Sequence, residues 1–122
     1  MKVKKFEDLD SWKKARELAN MIYQLTNQEK FKKDFRLSGQ IRDAGGSAMH
    51  NIAKGFDAGS DAEFIRFLKI SRRSASEVQS QLYLAMDQQY ITLTQLQGAY
   101  EKATEVKRLI NGLITYLRKT KK

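Results

Sequence analysis

The 122-residue sequence contains no cysteine and no proline. Without cysteine, the chain cannot form a disulfide, a thiolate metal site or a cysteine nucleophile. Without proline, long uninterrupted helices are favoured over a β-rich domain with many turns. The sequence also lacks an apolar run near the ~20 residues that a membrane span needs, and its first ten residues, MKVKKFEDLD, lack the apolar stretch of a signal peptide. We therefore expect a cytoplasmic location and no membrane partner.

Acidic residues are few beside basic ones. There are 14 of them against 23 basic residues, which leaves a formal net charge of +9 at pH 7. The sequence pI is about 9.8. An excess of this size indicates an anionic partner such as nucleic acid, an acidic protein or a membrane surface. The alternative is that the charge only keeps the protein soluble.

Apolar residues recur at the 3.6-residue spacing of an amphipathic helix in four segments. They predict helices over residues 8–26, 37–56, 61–88 and 93–119, within one domain that spans residues 1–122. Short links between long helices are typical of an all-α, antiparallel up-down-up-down four-helix bundle. In the polar link after the first helix, we expect Phe31 and Phe35 to anchor the chain to the core.

Helix ends and glycines refine this prediction. Three helices have candidate N-terminal capping residues: Asp10 or Ser11, Ser60 or Asp61, and Thr92 or Thr94. Ser60 with Glu63 has the spacing of a capping box. Gly45 and Gly46 lie inside the second helix, where either a tight helix crossing or a local kink would explain them.

Several helices carry more apolar surface than one bundle seam requires. The extra residues lie on the first and third helices: Leu18, Met21, Tyr23, Tyr83, Leu84 and Met86. Either the core is broad, or one face packs against another subunit. We expect a homo-oligomer.

The stretch SAMHNIAKGF (47–56) holds the only histidine. His50 shares one side of the predicted helix with Ser47 and Asp43, but residues stacked along one helix rarely converge on a substrate. We expect an exposed or hydrogen-bonded histidine, no catalytic residue, no metal site and no cofactor. Gly55 is interpreted as a helix C-terminal glycine, with Lys54 favourably placed near the helix dipole.

Basic residues on the last two helices are the candidate nucleic-acid contacts. On the third helix, Arg66, Lys69 and Arg73 follow the spacing i, i+3, i+7, and Arg72 flanks them. The full candidate set is Arg66, Lys69, Arg72, Arg73, Lys107, Arg108, Arg118 and Lys119. One-sign surfaces of this kind fit phosphate contacts that read no bases, although a solvated helix face would look the same. No aromatic platform is predicted, although Tyr90 and Tyr100 are candidates for exposure.

Several motifs resemble a known family. FEDLDSWKKARELANMIYQLT and NIAKG, together with later motifs in the same order, are similar to small bacterial proteins encoded within intervening sequences of 23S ribosomal RNA genes, often labelled ribosomal. The matching positions cover about residues 6–91 and include the signature residues Trp12, Asn51, Ile52, Ala53 and Gly55. Lys54 replaces the glutamate that the family usually has.

The resemblance implies a four-helix bundle that forms rings, commonly pentamers. It also implies a relation to the accessory proteins of diversity-generating retroelements, which are basic pentameric barrels that bind a reverse transcriptase and nucleic acid. Our first hypothesis is a non-enzymatic oligomer that binds RNA or DNA without sequence preference. The alternative is a protein-interaction scaffold for a partner such as a reverse transcriptase, without direct nucleic-acid binding.

Overall fold

The computed structural model describes residues 1–120 of the chain. A single 3-10 turn, Phe6–Asp8, precedes five helices. They are α1 (Asp10–Thr26), α2 (Glu29–Lys33), α3 (Phe35–Phe56), α4 (Asp61–Asp87) and α5 (Leu93–Thr120). No strand occurs within residues 1–120. None of the helices in this part of the chain combines the length and the apolar character that crossing a bilayer would require.

The four long helices form a bundle in which each packs against two others. Helix α1 contacts α3 and α5, and α4 contacts the same two helices. Neighbouring helices run antiparallel, because residues later in one helix contact residues earlier in the other. On the α4–α5 seam, Arg72 contacts Asn111 whereas Gln79 contacts Thr104. The other three seams show the same opposed order. The prediction of an all-helical bundle is confirmed.

The core lies along the common axis of these helices. The predicted inner face of α3, which consists of Leu37, Ile41, Ala44, Ala48 and Ile52, is buried throughout. Fully buried large side chains of α1, α2, α4 and α5 belong to the same core: Leu18, Ile22, Phe31, Leu68, Leu82, Val106 and Ile110. Burying each of these large apolar side chains contributes about 1.5–3 kcal/mol.

The link between α1 and α3 contains the short helix α2. Phe31 from α2 is fully buried and stacks on Tyr90, with ring centroids 5.3 Å apart. The expectation that Phe35 also anchors this link is wrong, because 83% of its surface is exposed. Helix α3 begins at Phe35 instead of Leu37, and two residues turn a helix by about 200°. Phe35 therefore lies opposite the buried face that Leu37 begins.

Side-chain caps fix the starts of α3, α4 and α5. The Asp34 side chain accepts a hydrogen bond from the backbone N–H of Leu37 at 3.1 Å. The Ser60 side chain accepts one from the backbone N–H of Glu63 at 3.2 Å. Thr92 caps α5 in a reciprocal pair with Gln95, at 3.1 and 3.0 Å. The predicted caps of α1 are wrong. The buried Leu9 occupies the N-cap position there, and no side chain caps the helix.

Two glycines of α3 lie at helix crossings, but only one of them is required by the space available. Helix α3 passes Gly45 without interruption, and a β-carbon there would lie 3.7 Å from the Cα of Ala19. That distance is ordinary van der Waals contact, so the α1–α3 crossing at Gly45 has room for an alanine methyl group. Gly55 is also inside α3, which continues to Phe56. Gly55 therefore lies in the last turn of the helix, as predicted, but it does not adopt the left-handed conformation of a glycine cap. A β-carbon at Gly55 would lie only 2.8 Å from Cδ1 of Phe64, so glycine permits the α3–α4 crossing.

Tyr90 gives the fold a testable response to alkaline pH. Its hydroxyl donates to a carboxylate oxygen of Asp34 at 3.0 Å. This hydrogen bond, helped by desolvation, raises the pKa of Tyr90 above its ordinary value of 10.0. A raised folded-state pKa means that the contact stabilises the fold below pH ~10 and that this contribution is lost as the pH rises through the folded-state pKa.

We therefore expect the tyrosinate absorbance of the wild-type protein, minus that of Tyr90→Phe, to rise with a midpoint above pH 10. The measurement is an ultraviolet pH titration of both folded proteins. A difference midpoint at or below pH 10 would show that the Asp34 hydrogen bond does not hold the phenol neutral.

Candidate nucleic-acid interface

The α4–α5 seam opens to the surface as a groove of about 510 Å³. Six side chains line it: Lys69, Arg72, Arg73, Ser76, Lys107 and Asn111. The α4 residues follow the i, i+3, i+4, i+7 spacing that places side chains on one helix face, and the two α5 residues are four apart. Antiparallel packing of α4 and α5 brings these two rows of side chains together.

Hydrogen bonds across the groove fix two of its cations. Arg72 donates from Nη1 to Oδ1 of Asn111 at 2.6 Å. Lys107 donates from Nζ to Oγ of Ser76 at 3.2 Å. A guanidinium has five N–H donors and an ammonium has three. Both groups are therefore positioned by the protein and still have donors for a ligand.

Gln79 positions the ammonium group of Lys107 through a hydrogen bond. It is only 6% exposed, and its Oε1 accepts from Nζ of Lys107 at 2.7 Å. Its Nε2 donates to Oγ1 of Thr104 at 2.9 Å and to the backbone carbonyl of Tyr100 at 3.2 Å. A buried amide with all its groups satisfied is stable in place. This role could not be predicted from the sequence, because a glutamine on the inner side of a helix indicates nothing about its tertiary partners.

The groove is positive without local compensation. In the part of the chain that the structure describes, the ion pairs are made by Lys14, Lys33, Arg66 and Lys102, none of which lines the groove. Four cations thus share one surface with only neutral polar groups between them. Such a surface attracts an anion that can contact several cations at once.

The remaining predicted cations are elsewhere. Arg66 is paired with Glu63 at 3.1 Å and lies over the ring of Phe67, 4.5 Å from its centroid. The hydrogen bond that Arg66 donates to the Glu63 carboxylate raises the pKa of the Arg66 guanidinium. Arg108, Arg118 and Lys119 are exposed on α5 but do not line the groove. The structure therefore brings together Lys69, Arg72, Arg73 and Lys107, and leaves the other four apart.

A second depression, of about 580 Å³, follows one face of α1. Its charged residues have both signs. Arg16 lies near the ring of Trp12, at 5.7 Å, and Glu17 is paired with Lys102 at 2.8 Å. The hydrogen bond from Lys102 lowers the pKa of Glu17. This mixed face is less suited to a polyanion than the α4–α5 groove.

His50 belongs to neither depression. It is exposed, and within residues 1–120 no hydrogen bond joins it to Ser47 or Asp43. The same part of the chain has no group of three or more histidine and acidic side chains that could hold a metal ion.

Ser47 instead belongs to a polar contact between α3 and α4. Its hydroxyl lies 2.8 Å from that of Ser74, and Nδ2 of Asn51 donates to it at 2.9 Å. One turn away, the hydroxyl of Ser71 donates to the backbone carbonyl of Ala48. Asn51 therefore supports the helix crossing from a partly buried position.

The other signature residues also have structural positions. Ile52 is fully buried and Ala53 packs at the edge of the core. Trp12 is buried and contacts Phe6 edge to face, with centroids 5.3 Å apart. Lys54 is exposed, so its replacement of a glutamate changes charge at the surface.

Two of the tyrosines meet on the α4–α5 seam. Tyr83 and Tyr100 meet edge to face at the other end of the α4–α5 seam, with ring centroids 5.9 Å apart. Tyr83 is 49% exposed. Tyr90, in contrast, is half-buried against Phe31. Sequence reasoning assigned Tyr83 to extra apolar surface, because its pairing with α5 depends on the register of the two helices.

Comparison with known proteins agrees with the fold. A family model described as 23S rRNA-intervening sequence protein matches residues 7–112. A solved structure of a protein of unknown function from the S23 ribosomal protein family of Bacteroides thetaiotaomicron VPI-5482 is 29% identical, with a TM-score of 0.79. The alignment covers 86% of this chain and 95% of that chain. No curated protein matches the chain. The resemblance inferred from the sequence motifs is confirmed.

Proposed function

We propose that this chain, which belongs to the family of 23S rRNA-intervening sequence proteins, is a non-enzymatic protein that binds RNA or DNA through the α4–α5 groove. The observation that supports the proposal is the group formed by Lys69, Arg72, Arg73 and Lys107, which shares one groove without an acidic partner among the described residues. A polyanion of closely spaced phosphates is the ligand that such a surface favours.

The same groove suits binding without sequence preference. Arginine and lysine contacts to phosphate position a nucleic acid but do not read its bases. Arg118 could extend the phosphate path, because seven residues make about two helical turns and place it on the same face of α5 as Asn111. No zinc-finger, helix-turn-helix or RNA-recognition motif occurs in the sequence. In this proposal the protein is cytoplasmic, needs no cofactor and acts as a homo-oligomer.

The direct test is binding of a structured RNA and a duplex DNA at about 50 and 200 mM salt, the range over which phosphate contacts weaken strongly. If four phosphates are contacted, we expect the affinity for duplex DNA to fall by about 10²-fold between these concentrations, following a slope of about −0.9 per contact. Light scattering in the same buffers gives the subunit number. Absent binding, or binding that salt does not weaken, would contradict the proposal.

A protein-interaction scaffold is the second candidate. Its supporting observation is exposed apolar surface away from the groove, since Phe35 is 83% exposed and Tyr23 is 51% exposed. Such residues fit a contact with another subunit or with a protein such as a reverse transcriptase. If Phe35→Ser reduces the subunit number without changing nucleic-acid affinity, Phe35 serves self-association. A protein that binds no nucleic acid at either salt concentration would favour the scaffold.

A further inference from the structure

The α4–α5 seam has, besides the basic groove, a small pocket that the phosphate contacts proposed above do not use. This pocket has a volume of about 200 Å³ and is lined by Tyr83, Leu93, Leu96, Gln97, Tyr100 and Glu101. Four of these six residues are tyrosine or leucine, whereas the groove at the other end of the seam is basic. The two ends therefore suit different parts of one ligand.

Contacts along the seam join the two ends without interruption. From the basic groove, Lys107 bonds to Gln79, and Gln79 bonds to the backbone carbonyl of Tyr100. Tyr100 then contacts the ring of Tyr83. Eleven residues separate Arg72 from Tyr83, or about 16 Å along α4. At 3.4 Å per nucleotide, this length matches about four or five nucleotides of a stacked strand.

The apolar end can accept a nucleic-acid base. Tyr83 is 49% exposed and Leu93 is 56% exposed. The Tyr83 and Tyr100 rings are inclined by 74°, so Tyr100 does not cover the Tyr83 ring face to face. Every base has a π-face that can stack on an aromatic side chain. Glu101, which also lines the pocket, disfavours a phosphate there but does not repel a neutral base.

We infer that the seam binds single-stranded nucleic acid, with phosphates at Lys69, Arg72, Arg73 and Lys107 and a base stacked on Tyr83. The inference rests on the proposed function and specifies its ligand. In a duplex, neighbouring base pairs cover the base faces, so a duplex can use the cations but not the tyrosine. A single strand can use both, and both RNA and DNA present the required π-face.

The test uses the full chain and four probes: a uridine and a thymidine homopolymer, each about eight nucleotides long, and RNA and DNA duplexes of the same length. We expect the wild-type protein to bind the single strands more tightly than the duplexes. Stacking on one aromatic side chain is worth about 5- to 150-fold in affinity, so Tyr83→Ala should lose that factor for single strands and leave duplex affinity unchanged. Tyr83→Phe should restore single-strand binding.

Tyr116→Ala is the matched control, because Tyr116 is a similarly exposed tyrosine that does not line the seam. Alanine is well tolerated at an exposed helical position, so both variants should fold. Equal affinity of wild-type protein for single strands and duplexes, with no effect of Tyr83→Ala, would overturn this inference and leave the phosphate groove standing. A changed subunit number in Tyr83→Ala would overturn it by identifying the pocket as a subunit contact. No binding to any probe would overturn both proposals.

Discussion

Replacing Gly55 with alanine is expected to lower the free energy of unfolding by about 1–3 kcal/mol, the usual cost of overpacking a tight core contact. The new β-carbon would lie 2.8 Å from Cδ1 of Phe64, 2.9 Å from Cβ of Phe67 and 3.2 Å from the backbone oxygen of Phe64. The last two atoms cannot swing away, so α3 and α4 must separate. This cost should exceed the gain of about 1 kcal/mol that alanine brings to a helix.

Gly39→Ala is the control in the same helix, because a β-carbon there meets nothing within 4 Å. It should raise the free energy of unfolding by about 0.5–1 kcal/mol. Urea unfolding of both variants at one protein concentration measures the two effects, since subunit association makes stability depend on concentration. A Gly55→Ala protein as stable as wild type would contradict the close crossing of α3 and α4.

Neutralising three groove cations is expected to have the largest effect on binding. In the variant Lys69→Gln, Arg72→Gln, Arg73→Gln, three phosphate contacts are lost and the slope of log affinity against log salt should flatten by about 2.7 for duplex DNA. At about 0.1 M salt, the loss corresponds to about 10²- to 10³-fold in affinity. Fluorescence anisotropy over a salt series gives both quantities.

A second variant with the same net charge tests whether binding depends on the groove or only on the overall charge of the protein. Lys5, Lys30 and Lys32 are exposed and outside the groove. Changing these three to glutamine also takes the net charge from +9 to +6. We expect it to retain most of the wild-type affinity. If it loses as much affinity as the groove variant, binding comes from diffuse charge, and the groove is not the interface.

Much of the fold follows from local patterns in the sequence. The 3.6-residue spacing predicted the inner face of α3, and the Ser60 and Thr92 caps depend only on residues three positions away. The sequence was insufficient where packing between helices determines the position or role of a residue. Gly55 stands near the C-terminal end of its helix as predicted, but the close approach of Phe64, and not a left-handed cap, explains why the residue is glycine. Phe35 is apolar, but the start of α3 turns it outward.

The candidate site was predicted only in part, for the same reason. Helical spacing placed Arg66, Lys69 and Arg73 on one face of α4 with Arg72 beside them. The pairing of Lys69, Arg72 and Arg73 with Lys107 depends on the register of two antiparallel helices. The partner of Arg66 is three residues away on its own helix, so the sequence alone could have indicated that ion pair. Buried connections such as Gln79 leave no pattern in the sequence.

The most direct measurement of the central claim is lysine reactivity with and without bound RNA. Acetylation of each lysine, read by mass spectrometry at low salt, reports which ammonium groups a phosphate covers. We expect RNA to protect Lys69 and Lys107 in the groove, while Lys30 and Lys32 on α2 keep their reactivity. Equal protection of all four lysines, or protection confined to residues outside the groove, would contradict the assignment of the α4–α5 groove as the nucleic-acid interface.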